Sequence, residues 1–224
     1  MVGMTTLAII GAGSGLGAAT ARRFAKEGFS VALIARNRQR VDALAAELAA
    51  EGVTAQGFTA NVRDRASLIA ALDEATTALG PIEVLQYSPL PQKEFLRPVL
   101  ETTPDDALAA IEFSVLGPIA AVHHVLQGMR VLGRGTVLFV NGGTAVRPRS
   151  DFAGTTISFA GQSAYGQALH EQLAPENVHV GQLIIPGGIE QGHAEKDPTV
   201  LAEKLWGIHS GRDGFRTFAA DMDA

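Results

Sequence analysis

The stretch Leu7-Ala8-Ile9-Ile10-Gly11-Ala12-Gly13-Ser14-Gly15-Leu16-Gly17 decides how the rest of the chain is read. Its apolar opening fits a strand buried on both faces, as in a parallel sheet. The glycines permit a tight turn and let a ligand approach the backbone closely. Ala18 to Lys26 is alanine-rich and reads as the helix that leaves the turn. A helix N-terminus offers free N–H groups and the positive end of a dipole, which suits a diphosphate. The spacing is G-x-x-x-G-x-G on Gly11, Gly15 and Gly17; in the simpler G-x-G-x-x-G string the third glycine would fall on Leu16. Alone, such a string also describes an ordinary turn. The strand before it and the helix after it make it a nucleotide-binding candidate.

Outward from this turn, strand and helix patterns alternate. Ser30 to Ala35, Val53 to Thr59, Pro81 to Gln86, Gly135 to Val140 and His179 to Ile185 read as strands, with Phe215 to Phe218 as a last edge strand. Arg38 to Ala50, Asp64 to Leu79, Phe152 to Leu173 and Thr199 to His209 read as helices. Another helix opens at Thr103-Pro104-Asp105-Asp106 and runs to about Met129, with a kink expected at Gly117-Pro118. Gly28, Gly52 and Gly80 stand where helices should stop. This rhythm predicts an α/β fold: a single Rossmann-type domain, 1–224, with a doubly wound parallel sheet and helices on both faces.

The chain has 224 residues and a formal net charge of −5, which argues against a broad nucleic-acid footprint. It has no cysteine, so disulfides and thiolate metal sites are excluded. Met1-Val2-Gly3-Met4 shows no basic leader, and no apolar run looks long enough to cross a bilayer. A cytoplasmic protein that binds neither membrane nor nucleic acid is the expectation.

Ligands of a doubly wound sheet lie beyond the carboxyl ends of its strands. Arg36 follows the second strand. An acid there would accept from a ribose 2′-OH, whereas an arginine suits a 2′-phosphate and favours NADP(H) over NAD(H). The alternative reading of Arg36 is a solvated surface arginine.

With these residues in view, the chain resembles the short-chain dehydrogenase/reductase family over nearly its whole length. The resemblance rests on Gly11, Gly15, Gly17, Arg36, Asn61-Val62, the Gly135–Val140 strand and Pro186-Gly187. It implies a seven-stranded Rossmann-type sheet, an NAD(P)(H) cofactor, a small carbonyl or alcohol substrate, and a homodimer or homotetramer. Carried onto this sequence, the cofactor contacts are Gly11, Gly13, Ser14, Gly15, Leu16, Gly17, Arg36, Asn61, Val62, Ser88, Pro186, Gly187 and Ile189. The substrate-loop region is about 187–212.

The catalytic half departs from the family pattern. The Asn-Asn-Ala-Gly segment after strand four is Tyr87-Ser88-Pro89-Leu90, the helix asparagine falls on Ser114, and the serine falls on Gly142. The Tyr-x-x-x-Lys pair falls on Thr155 and Phe159. Thr155 is a far weaker acid than a tyrosine beside a cation, and Phe159 brings no charge. Tyr87, His193 and Thr155 are the candidate proton donors, with Tyr87 first because a strand fixes its position; aromatic wall and exposed loop histidine are the competing readings of the first two. Tyr165 reads as core or subunit contact. Adjacent His123-His124 diverge on a helix, so no metal is expected. Three functions remain open: a divergent NADP(H)-dependent oxidoreductase, a redox-neutral isomerase or lyase on the same scaffold, and a non-catalytic NADP(H)-binding sensor or partner protein.

Overall fold

Seven parallel strands form one sheet in a computed structural model that describes residues 5–222; the leader reading of Met1 to Met4 lies outside the described residues. In chain order the elements are β1 (Thr6–Ile10), α1 (Leu16–Ala25), β2 (Ser30–Ala35), α2 (Arg38–Ala50), β3 (Ala55–Thr59), α3 (Arg65–Leu79) and β4 (Ile82–Tyr87). There follow α4 (Pro104–Ile111), α5 (Gly117–Leu132), β5 (Gly135–Gly142), α6 (Ala153–Leu173), β6 (Val178–Ile185), α7 (Pro198–Gly211) and β7 (Arg216–Phe218). The sheet order is β3-β2-β1-β4-β5-β6-β7, so the winding reverses between β1 and β4. That reversal opens the crevice in which such sheets bind ligands.

The pleat sorts each strand between two cores. In β1, Leu7 and Ile9 meet apolar side chains of α1, α2 and α7, while Ala8 and Ile10 meet those of α3, α5 and α6. Burial on both faces explains the unbroken apolar runs. Side-chain caps set the helix starts: Asn37 accepts from Arg40 N, Asp64 from Ala66 N and Ser67 N, and Asp197 from Thr199 N. Thr103 and Asp106 form a reciprocal capping box. Two starts differ from the sequence reading by two residues, the others by one at most. Helix α1 begins at Leu16, directly on the glycine turn, and β3 begins at Ala55 because Val53 N still bonds Leu48 O at the exit of α2.

The kink expected at Gly117-Pro118 takes the form of a π-helical turn, Glu112–Leu116, joining α4 to α5. Pro118 has no N–H, so the carbonyl of Ser114 loses its helical partner. The N–H of Gly117 reaches back to Glu112 O, so the carbonyl of Phe113 loses its partner as well. Two distant side chains satisfy both groups. Gln162 Nε2 donates to Ser114 O at 2.8 Å, and the Tyr87 hydroxyl donates to Phe113 O. The run Pro104–Leu132 also corrects the expectation that no apolar run reaches membrane-spanning length: it is 29 residues long, with a window of mean hydropathy 1.5. Its Phe113, Ala121, Val122 and Met129 lie buried in the core beneath the sheet.

Candidate functional site

The site grows from the β1–α1 turn. Gly11 has φ +90°, and its N–H, with that of Ala12, donates to Ile34 O at 2.9 and 3.1 Å. These bonds tie the turn to the end of β2. A Cβ on Gly17 would stand 3.1 Å from Ala12 Cα, so this glycine lets α1 sit close under the turn. Gly13 and Gly15 instead face open space, with no atom of the described residues within 4 Å of an added Cβ. No side chain caps α1 and no acid occupies its first turn. A helix N-terminus with its donors unclaimed by side chains beside open space is fit for a phosphate.

A cavity of about 630 Å³ opens beside this turn. Gly11, Gly13 and Ser14 line it together with Arg36, Arg40, Val62, Pro89, Leu90 and Phe113. Arg36 and Arg40 are exposed, and neither forms an ion pair among the described residues, whereas Arg38 between them binds Asp42 at 2.6 Å. Sequence reasoning singled out Arg36 and missed Arg40. The available signal was proximity: Arg40 stands in the first turn of the helix that follows β2, four residues after Arg36. Asn61 is not among the lining residues; its Oδ1 accepts from Arg63 N at 3.2 Å. Ser88 is pinned near the end of β4, its N–H donating to Ile10 O and its Oγ accepting from Gln86 Nε2, both at 2.9 Å.

The three candidate proton donors do not converge. Tyr87 is 2% exposed and faces the core on the α3–α5 side, not the ligand edge. Its hydroxyl is committed to Phe113 O, and burial pushes its pKa well above the usual phenol value. This corrects the expectation that strand four aims it at a ligand. Thr155 is buried in the first turn of α6, where its hydroxyl donates to Phe152 O at 3.2 Å. His193 lies half-buried in the loop after β6, and its Nδ1 accepts from Glu195 N at 3.1 Å and Lys196 N at 3.2 Å. Accepting at Nδ1 places the hydrogen of the neutral ring on Nε2. Tyr165 packs near Phe139, and burial raises its pKa to about 12, in keeping with a core role.

Gly142 and Phe159 do come together: a Cβ on Gly142 would lie 3.8 Å from Phe159 Cε2. Phe159 is 7% exposed and packs with Ala145, Ile184 and Met222. The Met222 methyl group lies 3.0 Å from a Cβ built on Gly143. This corner, beyond β5 and β6, is therefore apolar. Pro186 is buried at the end of β6, while Gly187, at φ +72°, and Ile189 are exposed.

Comparison with known proteins agrees with this architecture. The chain is 29% identical over 211 residues to a 2,3-dihydro-2,3-dihydroxybenzoate dehydrogenase of Bacillus subtilis (strain 168), covering 92% of this chain and 74% of that one. It is 29% identical over 195 residues to the human dehydrogenase/reductase SDR family member 4, covering 86% of this chain but 66% of the relative. The crystal structure of a short-chain dehydrogenase from Rhodopseudomonas palustris superposes with a TM-score of 0.84 at 26% identity, covering 97% and 98% of the two chains. An L-sorbose reductase from Gluconobacter frateurii, solved with NADPH and L-sorbose, shares the fold at a TM-score of 0.85 and 18% identity, covering 99% and 98%. Residues 5–199 match the family described as short chain dehydrogenase, and the protein belongs to that family of oxidoreductases.

Proposed function

We propose that this protein is an NADP(H)-dependent oxidoreductase of a small carbonyl or alcohol substrate, working without the family's usual Asn-Ser-Tyr-Lys set. The observation that carries the cofactor preference is the arginine pair. Arg36 and Arg40, both without ion pairs among the described residues, line the cavity that begins at the phosphate-binding turn. Two guanidinium groups there favour a 2′-phosphate over a free hydroxyl. The related fold of the sorbose reductase, solved with NADPH, supports the same reading.

Bound NADPH supplies a hydride to a carbonyl carbon, and a proton must reach the carbonyl oxygen. Of the three candidate donors, His193 is the one whose hydrogen is not committed to a main-chain carbonyl. Its Nε2–H, or a substrate-bound water, delivers the proton. On the sequence pattern, the family's catalytic side chains fall on Ser114, Gly142, Thr155 and Phe159, and Phe159 lies in an apolar cluster with Ala145, Ile184 and Met222. We place the substrate against that cluster, in the region that includes loop 187–212. The exposed apolar residues Leu116 on the π-turn and Ile157 on α6 support assembly as a homodimer or homotetramer.

A single-turnover mix of the NADPH-loaded protein with a panel of carbonyl compounds tests this. The expected result is loss of reduced-cofactor absorbance with one alcohol formed per hydride. Tyr87→Phe should react at the parental rate, because its hydroxyl serves the π-turn. His193→Ala should be slower by roughly 10²–10⁴-fold if it is the general acid. A protein that holds NADPH yet reduces no carbonyl is instead a redox-neutral enzyme or a cofactor sensor. The commitment of the Tyr87 and Thr155 hydroxyls to main-chain carbonyls is the observation favouring that second reading.

A further inference from the structure

We propose that Arg216, on the edge strand β7, is a positioning residue that holds the π-turn from across the sheet, through a one-way chain of buried amides. Gln182 of β6, Asn141 of β5 and Gln162 of α6 are 0%, 3% and 1% exposed. Two residues earlier on the same strands, Val180 and Phe139 belong to the apolar core on this side of the sheet. Three primary amides in such a layer cost stability unless their polar atoms are bonded.

Each amide oxygen and nitrogen in the chain is bonded. Arg216 Nε donates to Gln182 Oε1 at 3.0 Å. Arg216 Nη2 donates at 2.8 Å to Ser163 Oγ, which itself donates to Gln182 Oε1 at 2.9 Å. Gln182 Nε2 donates to Asn141 Oδ1 at 2.8 Å, and Asn141 Nδ2 donates to Gln162 Oε1 at 2.5 Å. Gln162 Nε2 then donates to Ser114 O at 2.8 Å, the bond that replaces the helical partner lost to Pro118. The two ends fix the direction of everything between them. A guanidinium only donates and a main-chain carbonyl only accepts. Every amide therefore accepts from the β7 side and donates toward the π-turn.

Arg216 is the exposed member of this chain, and the amides behind it are closed to solvent. The chain has two discrete arrangements, which is what coupling between distant groups requires. With a donor on β7, Gln162 turns its N–H groups to Ser114 O. With an acceptor there, Gln182 turns its nitrogen outward and Asn141 and Gln162 turn in succession. Two oxygens then face each other at Ser114, and the π-turn loses its hold. The turn also carries Phe113, a wall of the nucleotide cavity, and Asn141 directly precedes Gly142. The charge at the sheet edge is thereby read at the candidate site.

Amide hydrogen exchange followed by NMR on the whole protein tests this, together with the side-chain amide resonances of the three relays. Gln162→Met removes the last bond and should speed exchange in the π-turn and the start of α5 about tenfold. Arg216→Glu should match that effect and move the side-chain resonances of Gln182, Asn141 and Gln162 together. Arg216→Lys keeps a donor and should stay parental. Arg216→Met, in which the Ser163 hydroxyl still donates to Gln182, should fall between. NADPH affinity should follow the same order, because Phe113 moves with the turn; this arm rests on the NADP(H) reading above, and the exchange arm does not. Parental exchange in Gln162→Met, or an Arg216→Glu protein in which Gln182 alone responds, overturns the assignment. Unchanged NADPH affinity in variants whose turn has loosened overturns the link to the site. A parent that binds no NADPH overturns the cofactor reading, and the exchange result still decides the chain.

Discussion

Gly11→Ala should cost the protein about 3 kcal/mol of stability and remove nucleotide binding. An added methyl group at Gly11 would collide with the backbone of Pro89 and stand 2.7 Å from the carbonyl carbon of Ser88. Neither neighbour is a flexible side chain that can swing aside, so β1 and the exit of β4 must separate. Overpacking of this kind typically costs ~1–3 kcal/mol, and the left-handed φ of +90° adds strain of about 1 kcal/mol for any residue with a Cβ. The turn also bonds Ile34 O through two N–H groups, so displacement carries the cavity wall at Arg36 with it. Gly13→Ala is the control. Its Cβ meets nothing within 4 Å, so urea midpoints should stay near the parental value while the methyl group intrudes on bound phosphate. Urea melts of the two variants give the stabilities, and NADPH titration gives the binding. A Gly11→Ala protein as stable as its parent would contradict the close approach of β1 and Pro89.

Acid should destabilise the protein between pH 6.5 and about 4, well above the range of its carboxylates. His179, 6% exposed on β6, has no partner for Nε2 among the described residues. Burial pushes its pKa down to about 4, with His170, its ring 5.5 Å away, and Arg212 and His209 lowering it further. His209, bonded through Nδ1 to Thr136 Oγ1 at 2.9 Å, is lowered too, again chiefly by burial. The folded state therefore refuses protons that the unfolded chain accepts below pH 6.5. Stability falls as pH drops through this window and levels off near the folded value. For His179 the loss amounts to roughly 3 kcal/mol, at 1.36 kcal/mol per unit. Glu51, Glu176, Asp106 and Asp197 are all held below their ordinary values by arginine, hydroxyl or backbone partners, so their stabilisation is lost only at lower pH. Chemical denaturation at a series of pH values should show the slope, and His179→Asn should flatten it. An unchanged slope in His179→Asn would assign the acid sensitivity elsewhere.

The phosphate turn and the alternation of strand and helix around it were legible because their causes are local. An apolar run long enough for one strand, glycines at close-approach positions and an uncapped helix start all lie within one stretch of sequence. Arg36 was legible for the same reason, since it follows β2 directly. Tyr87 was misread because the end of a strand does not say which face its last residue takes. Register decides: Tyr87 pairs with Ile10 and Phe139 on the α3–α5 side, while Gln86 pairs with Ile9 and Leu138 on the other. Its hydroxyl partner was hidden as well. Pro118 announces that a helix carbonyl will be freed, but not that Tyr87 and Gln162, on two other elements, supply the missing donors.

The most direct test of the account is a paired fluorescence titration of the parent protein and Arg36→Asp with NADPH and NADH. A charge-assisted hydrogen bond contributes about 1.5–3 kcal/mol, so the parent should bind NADPH at least tenfold more tightly than NADH. Arg36→Asp replaces a phosphate partner with a repelling carboxylate and should erase or reverse that preference. Equal affinities of the parent for the two cofactors, or a preference that survives in Arg36→Asp, would contradict the NADP(H) reading.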